Sequence, residues 1–135
     1  MKIKIYKQKN IFSQKGNVLT FLKKGQNGYK GFGEIYFSTI KPKKIKGWKK
    51  HKKMNMNIFV ISGKVKFVFY DDKRKKFYKK NLNENNPKRL FIGPNIWFAF
   101  KNMSSKKSII VNFSNIKHNK NEVLNKKLNQ IKFNW

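Results

Sequence analysis

Apolar and polar residues alternate with a period of two along most of the chain. The alternation is clearest in six short runs that are rich in β-branched and aromatic residues, at 34–40, 55–61, 65–70, 90–92, 96–100 and 109–113. A period of two places successive side chains on opposite faces of a strand. Short runs of this kind, separated by turn residues, predict an all-β sandwich or barrel.

Turn residues separate these runs. Gly63 lies between two strong strand-forming runs, close enough for a β-hairpin, and it is free to take a positive φ. The Asn-rich segment 83–87 predicts a loop, and 93–95 predicts a tight turn.

The C-terminal region has a different pattern. Segment 119–128 carries Val123, Leu124 and Leu128 at helical spacing, which predicts a short helix. The apolar residues after it, at 131, 133 and 135, predict a tail that packs on the rest of the protein. A length of 135 residues without an evident linker predicts one domain, 1–135.

The large positive charge of the chain is weaker evidence for a nucleic-acid partner than its size suggests. Lys and Arg number 34 and Asp and Glu number 5, a formal charge of +29. Only Arg74 and Arg89 are arginines, so 34 − 2 leaves 32 lysines. Lys, Asn, Ile, Phe and Tyr all have A/T-rich codons, so the composition indicates codon bias, whereas nucleic-acid binders commonly use the bidentate Arg side chain. A basic nucleic-acid-binding β-barrel stays a remote alternative, because the aromatic residues have the pattern of a core.

Composition also excludes several classes of protein. Aromatic residues make up 16% of the chain, which excludes a disordered polycation. The chain has no cysteine, which excludes disulfides and thiolate metal sites. No apolar run approaches the roughly 20 residues of a membrane helix, and the first ten residues do not resemble a signal peptide. We therefore expect a cytoplasmic protein with no membrane partner.

Two segments, 45–51 and 91–102, resemble in order and spacing the two motifs of the cupin family. His51 falls at the second histidine of the first motif, and Lys49 falls at the first. Met56 falls at the glutamate position, and Phe98 falls at the histidine of the second motif. Only His51 is a residue type that binds metal ions, so we expect no metal and no cofactor.

A narrower resemblance extends over about 105 residues. The run from GFGEIYFSTI through IKGWKKH and SGKVKFVFYDD, followed by GPNIWFAFKN, VNFSNIKHNKNE and KFNW, resembles the short branch of the dTDP-4-dehydrorhamnose 3,5-epimerase-related cupins. The resemblance implies a jelly-roll (double-stranded β-helix) barrel, a homodimer, and a nucleotide-sugar ligand in surface-polysaccharide biosynthesis. It also implies an isomerase chemistry in which a histidine removes a proton next to a keto group, a lysine stabilises the enolate and a tyrosine returns a proton.

Several residues of this chain are candidates for those roles. His51 is the candidate base and Lys49 the candidate cation, since residues two apart on a strand share a face. The alternative is that both lie at a rim in solvent. The resemblance puts Lys46 at the position of a phosphate-binding arginine, and it puts the proton-donating tyrosine near Val111 or Asn112, neither of which donates a proton as a tyrosine does.

Aromatic and amide side chains complete the candidate site. Trp48 and Trp97 could stack on a base or a sugar, although aromatic residues at strand ends more often belong to the core. Asn57 and Asn112, if they face inward on apolar strands, would be unusual buried amides that could bind sugar hydroxyls. His118 has the sequence context of a structural loop histidine.

Two functions follow from this pattern. The first is a sugar-nucleotide epimerase-like cupin that binds a dTDP- or UDP-linked keto-sugar and transfers a proton next to its keto group. The second is a non-catalytic sugar-binding cupin, which the replacement of the family's catalytic residues favours.

Overall fold

β-Strands make up nearly all the regular structure of the computed structural model, which describes residues 2–135. The strands are β1 (Ile3–Lys7), β2 (Asn10–Ile11), β3 (Val18–Leu19), β4 (Glu34–Ile40), β5 (Ile45–His51), β6 (Met56–Ser62), β7 (Lys64–Asp71), β8 (Lys76–Asn83), β9 (Lys88–Ile92), β10 (Trp97–Asn102), β11 (Ser108–Ser114) and β12 (Val123–Lys126). A single 3-10 turn, Leu128–Gln130, is the only helix among the described residues. None of that part of the chain forms a helix with the length and apolar character needed to cross a membrane.

Ten of the strands form two antiparallel five-stranded sheets. The first sheet has the order β1-β9-β6-β11-β4, and the second has the order β12-β5-β10-β7-β8. Strands β2 and β3 form a separate small ribbon. Consecutive strands alternate between the sheets at several points, as in a jelly roll, and the all-β prediction is confirmed.

The space between the two sheets is filled by apolar side chains from both inner faces. Met56, Ile58 and Val60 supply it from β6, and Phe67 and Phe69 supply it from β7. The members of each set are two residues apart, so the period of two in the sequence directly selects the inward-facing side chains.

A second apolar cluster covers the outer face of the second sheet. Trp48 and Trp97 pack there with Ile131, and Trp48 Nε1 donates a hydrogen bond of 3.1 Å to the carbonyl of Ile131. The rings of Phe133 and Trp135 extend the cluster. The predicted apolar tail therefore has its packing surface on this face.

The predicted helix at 119–128 is wrong. Residues Val123–Lys126 form β12, which pairs antiparallel with β5. Asn119, Asn121 and Asn125 have a low helix preference, and the edge of β5 offers hydrogen-bond partners to the backbone of 123–126.

The predicted hairpin at Gly63 is also wrong, although the glycine conformation is as expected. Gly63 has φ 93°, but β6 belongs to the first sheet and β7 to the second. A Cβ atom at Gly63 would overlap the side chain of Ser108. The glycine therefore permits a tight crossing from one sheet to the other, past a buried neighbour.

Few carboxylates are available to offset the positive charge of the surface. Among the described residues, the ion pairs that join a lysine or arginine to a carboxylate are Lys50–Asp72, Arg74–Asp71 and Lys106–Glu84. Most of the lysine side chains in this part of the chain thus have no carboxylate partner and repel one another across solvent.

We expect salt to stabilise the fold, because screening weakens repulsion between the unpaired lysines. Thermal melts followed by circular dichroism at low and moderate NaCl should show the melting temperature rising by about 4 °C for each kcal/mol of repulsion removed. A melting temperature that stays constant or falls would show that the lysine surface costs the fold nothing.

Candidate active site

Over residues 34–38, strand β4 places its polar residues inward and its apolar residues outward. Tyr36 pairs with Asn112 of β11, which also pairs with the core residue Ile58, so all three side chains share the inner face. Ile35 and Phe37, which alternate with them, are 48% and 66% exposed. This reverses the usual arrangement and brings polar groups into the interior.

Tyr36 and Asn112 form a buried polar pair. The amide Nδ2 of Asn112 donates a hydrogen bond of 2.7 Å to the hydroxyl oxygen of Tyr36, which leaves the hydroxyl proton free to be donated. Asn112 is 6% exposed, and its carbonyl Oδ1 has no partner within residues 2–135. A buried acceptor without a donor is costly, so this atom is suited to a ligand hydroxyl.

The hydroxyl of Tyr36 is held in its protonated form. Burial raises the pKa of Tyr36, and the negative charges of Glu34 and Glu122 raise it further, against the hydrogen bond from Asn112, which lowers it. A phenol that keeps its proton can act as a donor or as a general acid.

His51 lies at the end of β5 and points into the same interior. Its side chain is 5% exposed, and its ring stacks on that of Phe98 with 6.0 Å between centroids. The Nδ1 atom bonds the carboxylate of Glu122. With Nδ1–H donated to the carboxylate, Nε2 is the nitrogen available as a base.

Glu122 is held in place by several donors. Burial alone would raise its pKa, but the hydrogen bond from His51, the amides of Lys53 and Met54 and the charge of His51 together keep the pKa of the carboxyl below its usual value. The pairing of Val123 with His51 between β12 and β5 brings this carboxylate to the imidazole. The arrangement is a histidine oriented by a carboxylate.

The predicted cations lie on the inner face of the second sheet and reach solvent. Lys49 pairs with Phe98 and Lys46 pairs with Phe100, two residues that contact the interior core. Both lysines are exposed, and Lys49 Nζ donates to Asn125 Oδ1 at 3.3 Å. The structure therefore places Lys49 on the same face as His51, as expected.

Three of the predicted ligand contacts lie elsewhere. Trp48 is three residues from His51, out of phase on the strand, and it is 1% exposed on the outer face beneath the C-terminal tail. Trp97 is in the same cluster, and its indole donates to Asp72 Oδ2 at 3.2 Å. Both tryptophans therefore belong to an apolar cluster, which agrees with the alternative of a core position and corrects their candidate role in stacking on a ligand.

Asn57 also faces away from the interior. It alternates with the inward-facing Ile58, and it lies between Gly28, to whose carbonyl it donates, and Arg89, from which it accepts. Its buried amide thus holds the segment around Gly28 on the outer face of the first sheet, and the expectation of an inward-facing Asn57 is corrected.

The residues present do not fit a cupin metal ion. Met56 and Phe98, at two of the four ligand positions, belong to the apolar core, and Lys49 is a cation. Within residues 2–135 there is no group of three or more His, Cys, Asp or Glu side chains placed to hold a metal.

Sequence reasoning missed Tyr36 and Glu122. Both had a signal in the sequence. Tyr36 lies on the polar side of an alternating strand, and Glu122 is one of only 5 acidic residues in a very basic chain. The resemblance placed the family's tyrosine near Asn112, which has no hydroxyl. In the structure, the hydroxyl beside Asn112 belongs to Tyr36 of β4.

Comparison with known proteins identifies the class of domain. Residues 1–133 match the family described as FdtA: WxcM-like, C-terminal. A dTDP sugar isomerase from Desulfovibrio desulfuricans G20 is similar in structure, with a TM-score of 0.86 and 27% identity over 93% of this chain and 83% of that one. No curated protein matches the sequence significantly.

Two further structures share the fold at lower identity. The TDP-quinovose 3,4-ketoisomerase WlaRB from Campylobacter jejuni has a TM-score of 0.78 and 21% identity over 92% of both chains. NovW from Streptomyces spheroides, a 4-keto-6-deoxy sugar epimerase, has a TM-score of 0.82 and 9% identity over 92% of this chain and 68% of that one. The prediction of a sugar-nucleotide epimerase-like cupin barrel is confirmed.

Replacing Glu122 with Gln should destabilise the fold at neutral pH by about 2 kcal/mol, because it removes a charged acceptor of three hydrogen bonds. A carboxyl whose pKa is lowered by folding stabilises above its unfolded-state pKa, and this contribution disappears as pH falls through the lower folded-state value. Urea unfolding of the wild type should therefore show a loss of stability below about pH 4.3, and the variant should lose less.

Glu84→Gln is the matched control, since it makes the same charge change at a carboxylate on the surface. Equal losses of stability in the two variants at neutral pH would contradict a special role for the His51–Glu122 pair.

Proposed function

Because the chain belongs to the FdtA family of WxcM-like, C-terminal domains, we propose that it is an isomerase that moves a proton at the carbon next to the keto group of a dTDP-linked sugar. The observation that carries this proposal is the pairing of His51 with Glu122 in an interior that also holds the Tyr36–Asn112 pair. The proposal includes the cytoplasmic location and the role in surface-polysaccharide biosynthesis that the sequence led us to expect.

The chemistry requires one base and one donor. His51 Nε2 removes the proton from the carbon next to the carbonyl, and the electron pair of that C–H bond moves to the carbonyl oxygen to form an enediolate. The Tyr36 hydroxyl donates to the developing oxyanion, with exposed Lys49 as a nearby positive charge. The two groups come from opposite sheets, β5 and β4, so a sugar ring bound between the sheets would meet one on each side.

Ketoisomerisation is the reaction that we propose first. The proton returns to the former carbonyl carbon, the neighbouring hydroxyl becomes the new carbonyl, and its proton passes to the old carbonyl oxygen. No atom is gained and no external oxidant is needed. The similarity to an isomerase and a 3,4-ketoisomerase over most of both chains supports this choice over the 3,5-epimerisation that the sequence resemblance first implied.

Substrate binding would use the remaining polar groups of the inner face. Lys46 is suited to the diphosphate as a point charge, and Asn112 Oδ1 is suited to a sugar hydroxyl. A strongly basic entrance also attracts an anionic ligand and speeds its encounter with the protein.

A second candidate function is a sugar-nucleotide-binding cupin without catalysis. The observation in its favour is that Lys49 and Phe98 occupy positions where the cupin motifs carry histidine. Such a protein would bind the nucleotide sugar and leave its carbon-bound protons unexchanged.

We also propose that the chain forms a homodimer through the outer face of the first sheet. Ile35 and Phe37 of β4 are exposed beside Phe32, which is 62% exposed and lies 5.4 Å from the ring of Phe113. A continuous apolar face of this kind marks an interface. The partner that we propose for it is the same face of a second copy, since a two-fold axis makes such a face self-complementary.

His51→Gln should abolish turnover of dTDP-4-keto-6-deoxyglucose, with a loss of about 10²–10⁴-fold, because it removes the base. Tyr36→Phe should lower the rate while nucleotide-sugar binding remains. The measurement is proton NMR in D₂O, which detects both the isomerised product and deuterium incorporated next to the keto group.

His118→Gln is the matched control, since His118 is the only other histidine and is exposed. It should retain full activity. A wild-type protein that binds the keto-sugar but gives neither isomerised product nor deuterium incorporation would reject the isomerase and leave the binding protein.

Phe37→Glu should convert the dimer to a monomer, because it buries a charge in an apolar interface. Sedimentation velocity or light scattering measures the change. Asn81→Glu, on an exposed position of β8 in the other sheet, is the control and should stay dimeric. A monomeric wild type would refute the dimer.

A further inference from the structure

A cavity lies on the side of the barrel away from Tyr36. Strands β1 and β8 are the edges of the two sheets on that side, and a cavity of about 440 Å³ lies between them. Tyr36 is on β4, four strand positions from β1, which corresponds to roughly 19 Å at the spacing of strands in a sheet. Buried Phe69 and Phe98 fill the core between the sheets.

The inner wall of this cavity is apolar. Ile3 and Ile96 are buried members of the core, and Tyr78 packs against it. Together they offer two aliphatic side chains and one ring to a ligand. A volume of this size is within the range of small-molecule sites, which are commonly apolar with a few polar groups.

Lys80 is an inward-facing cation in the same wall. It pairs with Phe67, which is fully buried, and it is two residues from the core residue Leu82, so it shares their face of β8. Lys80 is only partly exposed, and it forms no ion pair with any carboxylate within residues 2–135. An ammonium that lines a partly apolar cavity without a carboxylate partner attracts an anionic ligand, which would supply the counter-charge.

The entrance adds further positive charge. Lys73 and Arg74 line the cavity from the β7–β8 turn, and Lys2 lines it from the start of the described chain. The single carboxylate there, Asp71, accepts hydrogen bonds from the backbone amides of Lys73 and Arg74, at 3.0 and 3.1 Å, and forms an ion pair with the Arg74 side chain. The cavity therefore has four cations against one carboxylate.

We propose that this cavity binds a phosphorylated organic anion with a planar or apolar group, at a site separate from His51. The phosphate is placed at Lys80 and the cations of the entrance, and the organic group contacts Tyr78, Ile3 and Ile96. The proposal does not depend on the isomerase activity. It concerns the opposite edges of the two sheets, and it holds whether or not the protein is an enzyme.

Phenyl phosphate is the probe, because it combines a planar apolar group with a phosphate and has neither sugar nor keto group. Isothermal titration in about 150 mM NaCl should show binding that is tighter than that of inorganic phosphate. Lys80→Met keeps the apolar stem of the side chain and removes the charge, and it should weaken phenyl phosphate at least 10-fold, as expected for loss of a charged hydrogen bond. Lys80→Arg should restore binding.

Lys79→Met is the matched control. Lys79 is on the same strand and pairs with Val68 of the outer cluster, so the substitution Lys79→Met removes an equal charge from the opposite face of β8. This variant should bind as the wild type does. Equal weakening by Lys79→Met and Lys80→Met would show general attraction to a basic surface and overturn the site, as would binding of phosphate as tight as that of phenyl phosphate.

His51→Gln separates this proposal from the proposed function. It should leave the affinity for phenyl phosphate unchanged, because the phosphate is held by Lys80 on β8, three strand positions from His51 on β5. The cavity approaches His51 only at its apolar wall, where Ile96 follows Asn95, whose amide donates to the carbonyl of His51 at 2.7 Å. A loss of phenyl phosphate binding in His51→Gln would place the probe in the interior beside Tyr36 and overturn the separate site, whereas an inactive wild type that still binds the probe through Lys80 would overturn the isomerase alone.

Discussion

The small number of carboxylates constrains the whole structure, since the chain has 34 basic side chains and only 5 carboxylates. Each carboxylate accepts hydrogen bonds, and four of them join segments that are distant in sequence. Glu122 joins the C-terminal region to His51, and Asp72 joins the turn after β7 to Lys50 and Trp97. Glu84 joins the amide of Gly63 to Lys106, and Glu34 accepts from the amide of His118. Four of the five carboxylates therefore link separate elements of the fold. The link made by Glu122 is buried with the imidazole of His51 and also orients this candidate base.

The reversed polarity of β4 connects the interior chemistry with the outer surface. Tyr36 faces the barrel because Ile35 and Phe37 face outward, and a strand cannot place both sets inside. Exposed apolar residues of this kind are what an interface uses, so the polar interior and the proposed dimer surface would have the same structural origin. A one-residue shift in the pairing of β4 with β11 would bury the apolar set and remove Tyr36 from Asn112.

The sequence predicted the strands whose apolar residues are dense and missed those that tertiary pairing creates. Strand β8, with Lys79, Lys80 and Asn81 at its centre, has little strand-forming character and is held by its complete register with β7. The residues of the candidate site also fall into those predicted from the sequence and those placed by strand pairing. His51, Lys49 and Asn112 were predicted from motif and alternation, whereas Glu122 reaches His51 only through the pairing of β12 with β5. The two tryptophans were assigned to the site because a motif does not specify the phase of each residue on its strand.

The pairing of strands far apart in the sequence also has a kinetic consequence. Residue 3 pairs with residue 92, residue 36 with residue 112 and residue 51 with residue 123, so the sheets close only after long loops have been ordered. Such topologies fold slowly and leave apolar strands exposed in the meantime. The segment MNIFVIS, followed by KVKFVFY, has the composition of an aggregation-prone strand, and the lysines around it act as gatekeepers through mutual repulsion. The charge that we expect to weaken the folded barrel would thus also keep the folding chains apart from one another.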